Sequence, residues 1–381
     1  MSDASLRTTP ISRVAIVAPD ASNVLREYNG LASAIRSKGD QVRCFAPGIS
    51  REDSAELDKQ GIHCTPFSLA PGKFSLLARR RVIGDLARLM AEWKPSVLVA
   101  VGALELVYAV RAARKNKMEH VIAIPEIMPV FEDDESGVKK RDTPFNDIKL
   151  ALKQAEGVIL LNNIAAAEFK ERNLLNATVK VLVSPRCGVD LEKFVETPLP
   201  PLSGGLVFHL SSPLEEENGI LAFCEAAKRI KKEARGAEFV LTGPPGKSAG
   251  AIGLDRLEPY KDVIARAGRQ IASKDALSRC HVFVTLTNEP AMPLVAMQAL
   301  AIGRPVIAQN CPASHELVDE RVNGSLVNRG NVDEIVEAMR SYLRRPDLIP
   351  AMARASRQKS VRRLSQKAAL AKILPLLYEN V

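Results

Sequence analysis

The sequence lacks several features that would each point to a class of protein. Its six cysteines, Cys44, Cys64, Cys187, Cys224, Cys280 and Cys311, form no C-x-x-C pair, so neither a disulfide framework nor a zinc site is indicated and a reducing compartment is expected. Five histidines, His63, His120, His209, His281 and His315, show no ligand spacing, and no metal is expected. Aromatic residues are only 4% of the chain, too few to interleave with basic residues as a nucleic-acid stacking platform requires. No G-x-S-x-G nucleophile motif occurs. No uninterrupted apolar run approaches the length of a membrane span, and "MSDASLRTTPISR" has no apolar core ahead of "VAIVAP". The expectation is a cytoplasmic protein that can at most touch the inner face of a membrane.

What charge there is lies unevenly. The net charge is +9, and the stretch Arg340 to Lys372 holds ten Lys or Arg against the single Asp347. Such a run can face anionic lipid or a phosphate-bearing partner, or it can be a solvated helix surface. A second basic feature is "KFSLLARRRVIGDLARLMAEW", where Phe74, Leu77, Val82, Leu86, Leu89, Met90 and Trp93 follow helical spacing and Arg79, Arg80 and Arg81 fan off the other side. That helix can edge an acceptor site at a membrane or pack as an ordinary core helix with a wet basic face.

A chain of 381 residues is too long for one ordinary core, so two domains are expected. Short β-rich runs alternate with helix-length segments almost from end to end: "RVAIVAP", "QVRCFAP", "IHCTPFSL", "SVLVAVG", "HVIAIPEIM" and "GVILLN" in the first half. The pattern restarts after the proline-rich joint "ETPLPPLSGG" with "LVFHLSS", "AEFVLTGPPG", "CHVFVTL", "RPVIAQN" and "GSLVN". This alternation predicts two α/β, Rossmann-like, doubly wound domains facing across a cleft at the carboxyl ends of their strands. The boundaries read as 1–195 and 196–363, with an apolar-faced helix in 364–381 returning to the first domain.

Four stretches, "SPRCGVDLEKF", "NEPAMPLVAMQALAIGRPVIAQN", "HELVDERVNGSLVNRGNVDEIVEAM" and "RRPDLIPAMARASR", occur in one order across residues 184–363. Together they resemble the family-four group of retaining GT-B glycosyltransferases (glycosyl transferases group 1). The resemblance implies a metal-independent, retaining hexosyltransferase that needs no cofactor and takes a nucleotide-diphospho sugar as co-substrate. The acceptor, a glycan or polyprenyl-linked sugar of bacterial surface polysaccharide synthesis, would meet the first domain.

Site residues follow from the same resemblance. Glu289 matches the first of two family glutamates that hold the sugar and the ribose, and is the catalytic candidate. The second falls on Gln298 if the Gly303 turn sets the register, or on Met297 by strict spacing; an amide can still bond ribose hydroxyls. Backbone N–H groups around Pro293, Leu294 and Val295 would meet the diphosphate at a helix start. The family's Arg and Lys after the first strand of this domain are replaced in "HLSSPLEEENG" by Ser211 or Ser212 and Asn218, with Glu215 to Glu217 alongside. Cations would then come from elsewhere, with Arg186, Lys247 and Lys274 as candidates, or donor turnover has been lost. Gly243 in "LTGPPG" can admit a nucleotide or simply make a turn. On the acceptor side stand Glu126, Arg79 and Arg80. A rival reading is a catalytically degenerate GT-B protein that binds a sugar nucleotide or partners an active transferase.

Overall fold

The computed structural model describes residues 12–68, 76–126, 145–246, 248–268, 270–287 and 292–378. The chain divides into two units, Met1–Cys187 with Ala369–Val381, and Gly188–Ala368.

In the first unit the strands are β1 (Arg13–Val17), β2 (Gln41–Ala46), β3 (His63–Pro66), β4 (Val97–Val101), β5 (Val121–Ile124), β6 (Gly157–Leu160) and β7 (Lys180–Val183). They form one parallel sheet in the order β3-β2-β1-β4-β5-β6-β7. The central runs "VLVAV" and "VIAI" are buried along their whole length, as expected where helices cover both faces of a parallel sheet. Helix Leu104–Lys115 sets Leu106, Val110 and Ala113 against a core that includes Phe45, Leu86, Met90, Leu98 and Phe169.

The returning helix is Gln366–Tyr378, and from Ala369 onward it belongs to the first unit. Its end is tied down by polar contacts. His120 Nε2 donates to the Leu377 carbonyl at 2.7 Å, its Nδ1 faces the Glu156 carboxylate, and Tyr378 Oη donates to Asp40 Oδ2 at 2.7 Å. A side chain at Gly157 would strike Leu376 and Ile122, so that glycine lets the helix lie close on β6.

The second unit builds the strands β8 (Val207–Ser211), β9 (Glu238–Thr242), β10 (Ile264–Gly268), β11 (Val282–Thr285), β12 (Val306–Gln309) and β13 (Gly324–Val327), parallel in the order β10-β9-β8-β11-β12-β13. Residues just before the joint belong here as well. Val189 N donates to the Leu364 carbonyl at 2.7 Å, Gln366 N returns a bond to Val189 O at 2.8 Å, and Phe194 is buried. The division thus falls at 187 and 368, whereas the sequence placed it at 195 and 363; this extra pairing is the reason.

The joint itself is gripped by Arg304, which is fully buried. Its Nη1 donates to Thr197 O and Ile302 O at 2.9 and 3.0 Å, and its Nη2 to Thr197 Oγ1, Pro198 O and Ser278 O at 3.0, 2.8 and 2.8 Å. Prolines at 198, 200 and 201 leave carbonyls with few backbone donors to meet them, and one guanidinium fork supplies five N–H groups.

The basic run 340–372 is not a bare cationic face. Arg340 pairs with Glu233 and Glu337, Arg344 with Glu337, and Arg345 with Asp347. Arg357 donates to the Phe194 and Ala301 carbonyls, and the nearly buried Lys359 pairs with Asp319 at 2.8 Å. Helix and turn packing therefore commits five of the ten cations to internal partners.

Arg304→Ala should lower the stability of the second unit by at least about 3 kcal/mol, because it strands several buried carbonyls at once. Exposed Arg329→Ala should stay within about 0.5 kcal/mol. Urea unfolding of both variants checks the contrast; equal midpoints would mean that the clasp is dispensable.

Candidate functional site

The order of the second sheet reverses its direction of growth between β8 and β11. In doubly wound sheets the loops part at such a point, and ligands bind outside the carboxyl ends of the strands there. Two loops flank it: the turn from Ser212 to Asn218 after β8, and the approach to helix Leu294–Ala301 after β11.

The first loop is built from its own polar groups. Asn218 is buried and its Nδ2 donates to the Pro213 carbonyl at 2.9 Å. Ser211, also buried, accepts from Ala272 N at 2.8 Å through its hydroxyl. That bond draws the segment ahead of helix Lys274–Ser278 to the end of β8, so Lys274 starts its helix beside the crevice. Lys274 is half-buried and has no carboxylate partner among the described residues. Gly243, at φ 155°, passes so near the loop that a Cβ would lie 1.8 Å from the Ser212 carbonyl oxygen. Its place in the sequence is therefore explained by packing against Ser212.

Three carboxylates next to a diphosphate would repel it, but the structure turns them aside. Glu216 pairs with Arg256, both well exposed; Glu215 accepts from Ser248 N; Glu217 is exposed. His209 supplies no cation either. Burial pushes its pKa down to about 4, and its Nε2 meets Thr242 Oγ1 at 2.9 Å.

Across the crevice, helix Leu294–Ala301 has Pro293 as its first cap and no side-chain cap. The N–H groups of Ala296 and Met297 both bond to Pro293 O. The helical ladder thus begins at Pro293 and does not consume the amides of Leu294 and Val295, the donors an anion would meet. Met297 is fully buried in the core while Gln298 is half-buried with no side-chain partner among the described residues. Of the two registers considered for the second family position, only Gln298 is open to a ligand. Glu289 and Lys247 lie outside the described residues.

The first unit has its own polar cluster at the carboxyl edge of its sheet. Glu126 follows β5 and Arg186 follows β7. Arg186 Nε donates to Glu126 Oε1 at 2.9 Å and Nη1 to Glu27 Oε2 at 2.7 Å, while Tyr28 Oη donates to Glu126 Oε1 at 2.7 Å. Arg186 is held at φ 49°, a left-handed conformation rare outside glycine. Glu27 and Tyr28 both come from a wide, π-type turn, Val24–Tyr28. Arg186 is therefore committed to two carboxylates of its own unit. Arg79 pairs with Asp147 at 2.6 Å, as Arg111 does at 2.5 Å, whereas Arg80 and Arg81 are exposed. The triple-arginine fan is thus one bound cation beside two exposed ones for which no carboxylate partner occurs among the described residues.

Glu105 was not singled out from the sequence. In "VGALELVYAV" it reads as one polar residue on an apolar helix, yet it lies in the first turn after β4 and is buried at 7% exposure. Its Oε2 sits over Gly102, where a Cβ would come within 2.7 Å of it and within 3.0 Å of Pro19. The only usable signal was position: a carboxylate three residues past a strand-ending glycine.

Two parallel, helix-flanked sheets of this kind define a GT-B glycosyltransferase architecture. Residues 205–345, within the second unit, match the family described as Glycosyl transferases group 1. A Haemophilus influenzae protein described as an uncharacterized glycosyltransferase is 36% identical over 77 residues, 20% of this chain and 22% of that protein. The N,N'-diacetylbacillosaminyl-diphospho-undecaprenol alpha-1,3-N-acetylgalactosaminyltransferase of Campylobacter jejuni is 21% identical over 322 residues, 81% of this chain and 83% of its own. Among solved structures, HepE of Anabaena in complex with UDP and glucose superposes with a TM-score of 0.75 at 14% identity, covering 97% of this chain and 100% of that one. At that identity the likeness is one of fold.

Burial, with Glu126 and Asp20 adding repulsion, raises the Glu105 pKa from 4.5 to about 7. The folded protein then holds this proton more tightly than the unfolded chain, so stability from this group is full below pH 4.5 and is lost as pH rises toward 7. The difference corresponds to about 3 kcal/mol. Glu105→Gln removes the titration: against wild type it should gain about that much stability between pH 4.5 and pH 8. Urea melts of both proteins at the two pH values test this, and parallel pH profiles would contradict it.

Proposed function

We propose that the protein transfers a sugar from a nucleotide-diphospho donor, held in the crevice of the second unit, to a glycan or lipid-linked acceptor in bacterial surface polysaccharide synthesis. The observation that carries this reading is the helix start at Pro293, Leu294 and Val295 facing the Ser212 to Asn218 loop at the switch point of a sheet within the family-matched region. The nucleotide and sugar found with HepE, and the diphospho-undecaprenol acceptor in the name of the Campylobacter relative, support it. In a retaining transfer without a covalent intermediate, the bond from sugar carbon to phosphate oxygen breaks through an oxocarbenium-like state. The departing phosphate can then accept the acceptor's proton, so no protein base is required. What the protein must supply is stabilisation of the leaving diphosphate. Backbone amides at the helix start and the ammonium of Lys274 would do this without a metal ion, and Gln298 would bond the ribose. Glu289 is assigned to the sugar.

A degenerate, non-catalytic binder is the second reading, favoured by Ser212 and Asn218 standing where the family carries cations. Donor hydrolysis and transfer with a panel of UDP and GDP sugars, with and without a polyprenyl-diphosphate sugar, separates the two. We expect turnover that Glu289→Ala abolishes with the fold intact, and that Lys274→Ala lowers about 100-fold or more in kcat, by analogy with the removal of an oxyanion donor. Binding without turnover in wild type would leave the degenerate reading.

Contact with the membrane would be peripheral, since no helix among the described residues is long and apolar enough to cross one. Exposed Leu77 and Leu150 accompany Arg80, Arg81, Arg114 and Lys115 on the first unit, and Arg111, Arg114 and Lys115 line a cavity of about 370 Å³ there. Each cation near anionic lipid contributes about 1 kcal/mol, screened over about 8 Å at physiological salt. Cosedimentation with phosphatidylglycerol vesicles should be strong at low salt and lost at high salt; no binding at low salt removes this part of the proposal.

A further inference from the structure

The sheet of the second unit ends at β13, an edge strand two places from β11 and so away from the crevice between β8 and β11. Between this edge, helix Val332–Arg344 and helix Ile349–Lys359 lies a cavity of about 660 Å³, a size that takes a small organic ligand. Its walls are largely apolar: Leu326 from the strand, Ala338 and Tyr342 from the first helix, and Leu348 and Met352 from the turn and helix that follow. Leu348 is 44% exposed, so part of this apolar surface meets water. Tyr342 is buried, with its ring edge-on to Phe208, and its hydroxyl finds no hydrogen-bond partner among the described residues. The Ser325 side chain, also on the cavity wall, stands beside that hydroxyl but outside bonding geometry.

The charges around the mouth divide into committed and uncommitted ones. Glu320 Oε2 accepts from Leu326 N at 2.7 Å, and Glu334 accepts from Asn328 N and Asn331 Nδ2 at 2.6 and 2.7 Å, so both carboxylates serve local N–H groups. Glu337 is shared by Arg340 and Arg344, and Arg345 pairs with Asp347. Arg344, Arg345 and their partners are more than half exposed, and exposed pairs of this kind hold weakly. Arg321, exposed on the same mouth, has no carboxylate partner among the described residues. Its backbone is held at φ 61° by a closed loop. Arg321 N donates to Gly324 O at 2.9 Å, and the Asn323 side chain accepts from Asp319 N at 2.6 Å and donates to Leu317 O at 2.9 Å. A fixed loop thus sets one uncommitted cation at the start of β13, where Ser325 also lies.

We propose that this cavity binds an amphipathic anion, with a carboxylate or phosphate head held by Arg321 and the Ser325 hydroxyl and an aliphatic body lying on Leu326, Ala338, Leu348 and Met352. The assignment does not rest on the transferase reading, and it concerns a different edge of the second unit from the donor crevice. Apolar walls favour an aliphatic body, each buried CH₂ adding about threefold in affinity. The uncommitted charge at the mouth favours an anionic head over an ammonium or a plain hydroxyl. A head oxygen that accepts from the Ser325 hydroxyl leaves Ser325 Oγ free to accept from Tyr342 Oη, which then gains the partner it lacks.

The test uses the full chain with isotope-labelled methionine methyls, read by NMR, because Met352 lies on the cavity wall; its signal is identified by its loss in Met352→Leu. Octanoate and octyl phosphate are titrated beside butanoate, octanol and octylammonium. The Met352 signal should shift saturably with both octyl anions, about thirtyfold more tightly for octanoate than for butanoate, and less tightly for octanol and octylammonium. The tighter of the two octyl anions shows whether the head is a carboxylate or a phosphate. Arg321→Gly, which suits the left-handed backbone, should weaken both anions about fivefold or more and leave octanol within about twofold. Its unchanged methionine spectrum without ligand verifies the fold. A Met352 signal that neither octyl anion moves, octanol or octylammonium binding as tightly as octanoate, or undiminished anion binding by Arg321→Gly overturns the inference.

Discussion

The second unit depends on one buried cation. Arg304 follows directly on Gly303, the turn that ends helix Leu294–Ala301, and lies two residues before β12 begins at Val306. By donating to the carbonyls of Thr197, Pro198, Ser278 and Ile302 it joins the proline joint, the helix that follows Lys274 and the end of the ligand-facing helix in one hydrogen-bonded knot. Guanidinium suits this task where ammonium would not, because its planar fork reaches several carbonyls without rearrangement. The start of that helix, nine residues before Gly303 at Leu294, can be held still for a ligand only if its far end is held still. Arg304 does that from inside the fold.

The first unit has answered a similar problem with a different chemistry. Arg186 is also nearly buried, but carboxylates surround it, and its backbone is bent into a left-handed conformation to place it there. A cation bound by carbonyl dipoles is a structural clamp. One bound by carboxylates, with Tyr28 Oη donating to the same Glu126 oxygen, is a buried ion-pair network whose members hold one another. The two buried arginines therefore hold their units by different chemistries, one through carbonyl dipoles and one through opposite charge.

Much of this was legible in the sequence because β-rich runs broken by helix-length segments leave little choice of architecture. Both sheets, their parallel sense and the returning helix followed from that alternation. The expectations for Ser212, Asn218 and the helix start at Pro293 came instead from the family resemblance, because a strand end or a helix start read locally does not say that a ligand meets it. Arg186, Arg79 and the 340–372 run were not readable in the same way. Whether a cation is available to a ligand depends on which carboxylate from a distant segment meets it, as Asp147 meets Arg79 and Glu233 meets Arg340. Charge in a sequence is a count, whereas charge at a surface is what remains after pairing. Lys274 illustrates the converse: nothing in "ASKDAL" distinguishes it, and only the bond from Ala272 N to Ser211 brings it to the end of β8.

Glu105 carries that argument furthest. A glutamate in the first turn of a helix is ordinarily a favourable placement, since it complements the positive end of the helix dipole, and from sequence alone it would be read that way. Its burial between two strand exits reverses the sign: the charged form is disfavoured, and the fold is less stable at pH 8 than it would be with a neutral amide in its place. Stability alone would replace such a residue readily, because glutamine has nearly the same shape and no charge to desolvate. With Gly102 cleared to accommodate the carboxyl, the sign of its contribution is set by burial between the strand exits and not by its place on the helix.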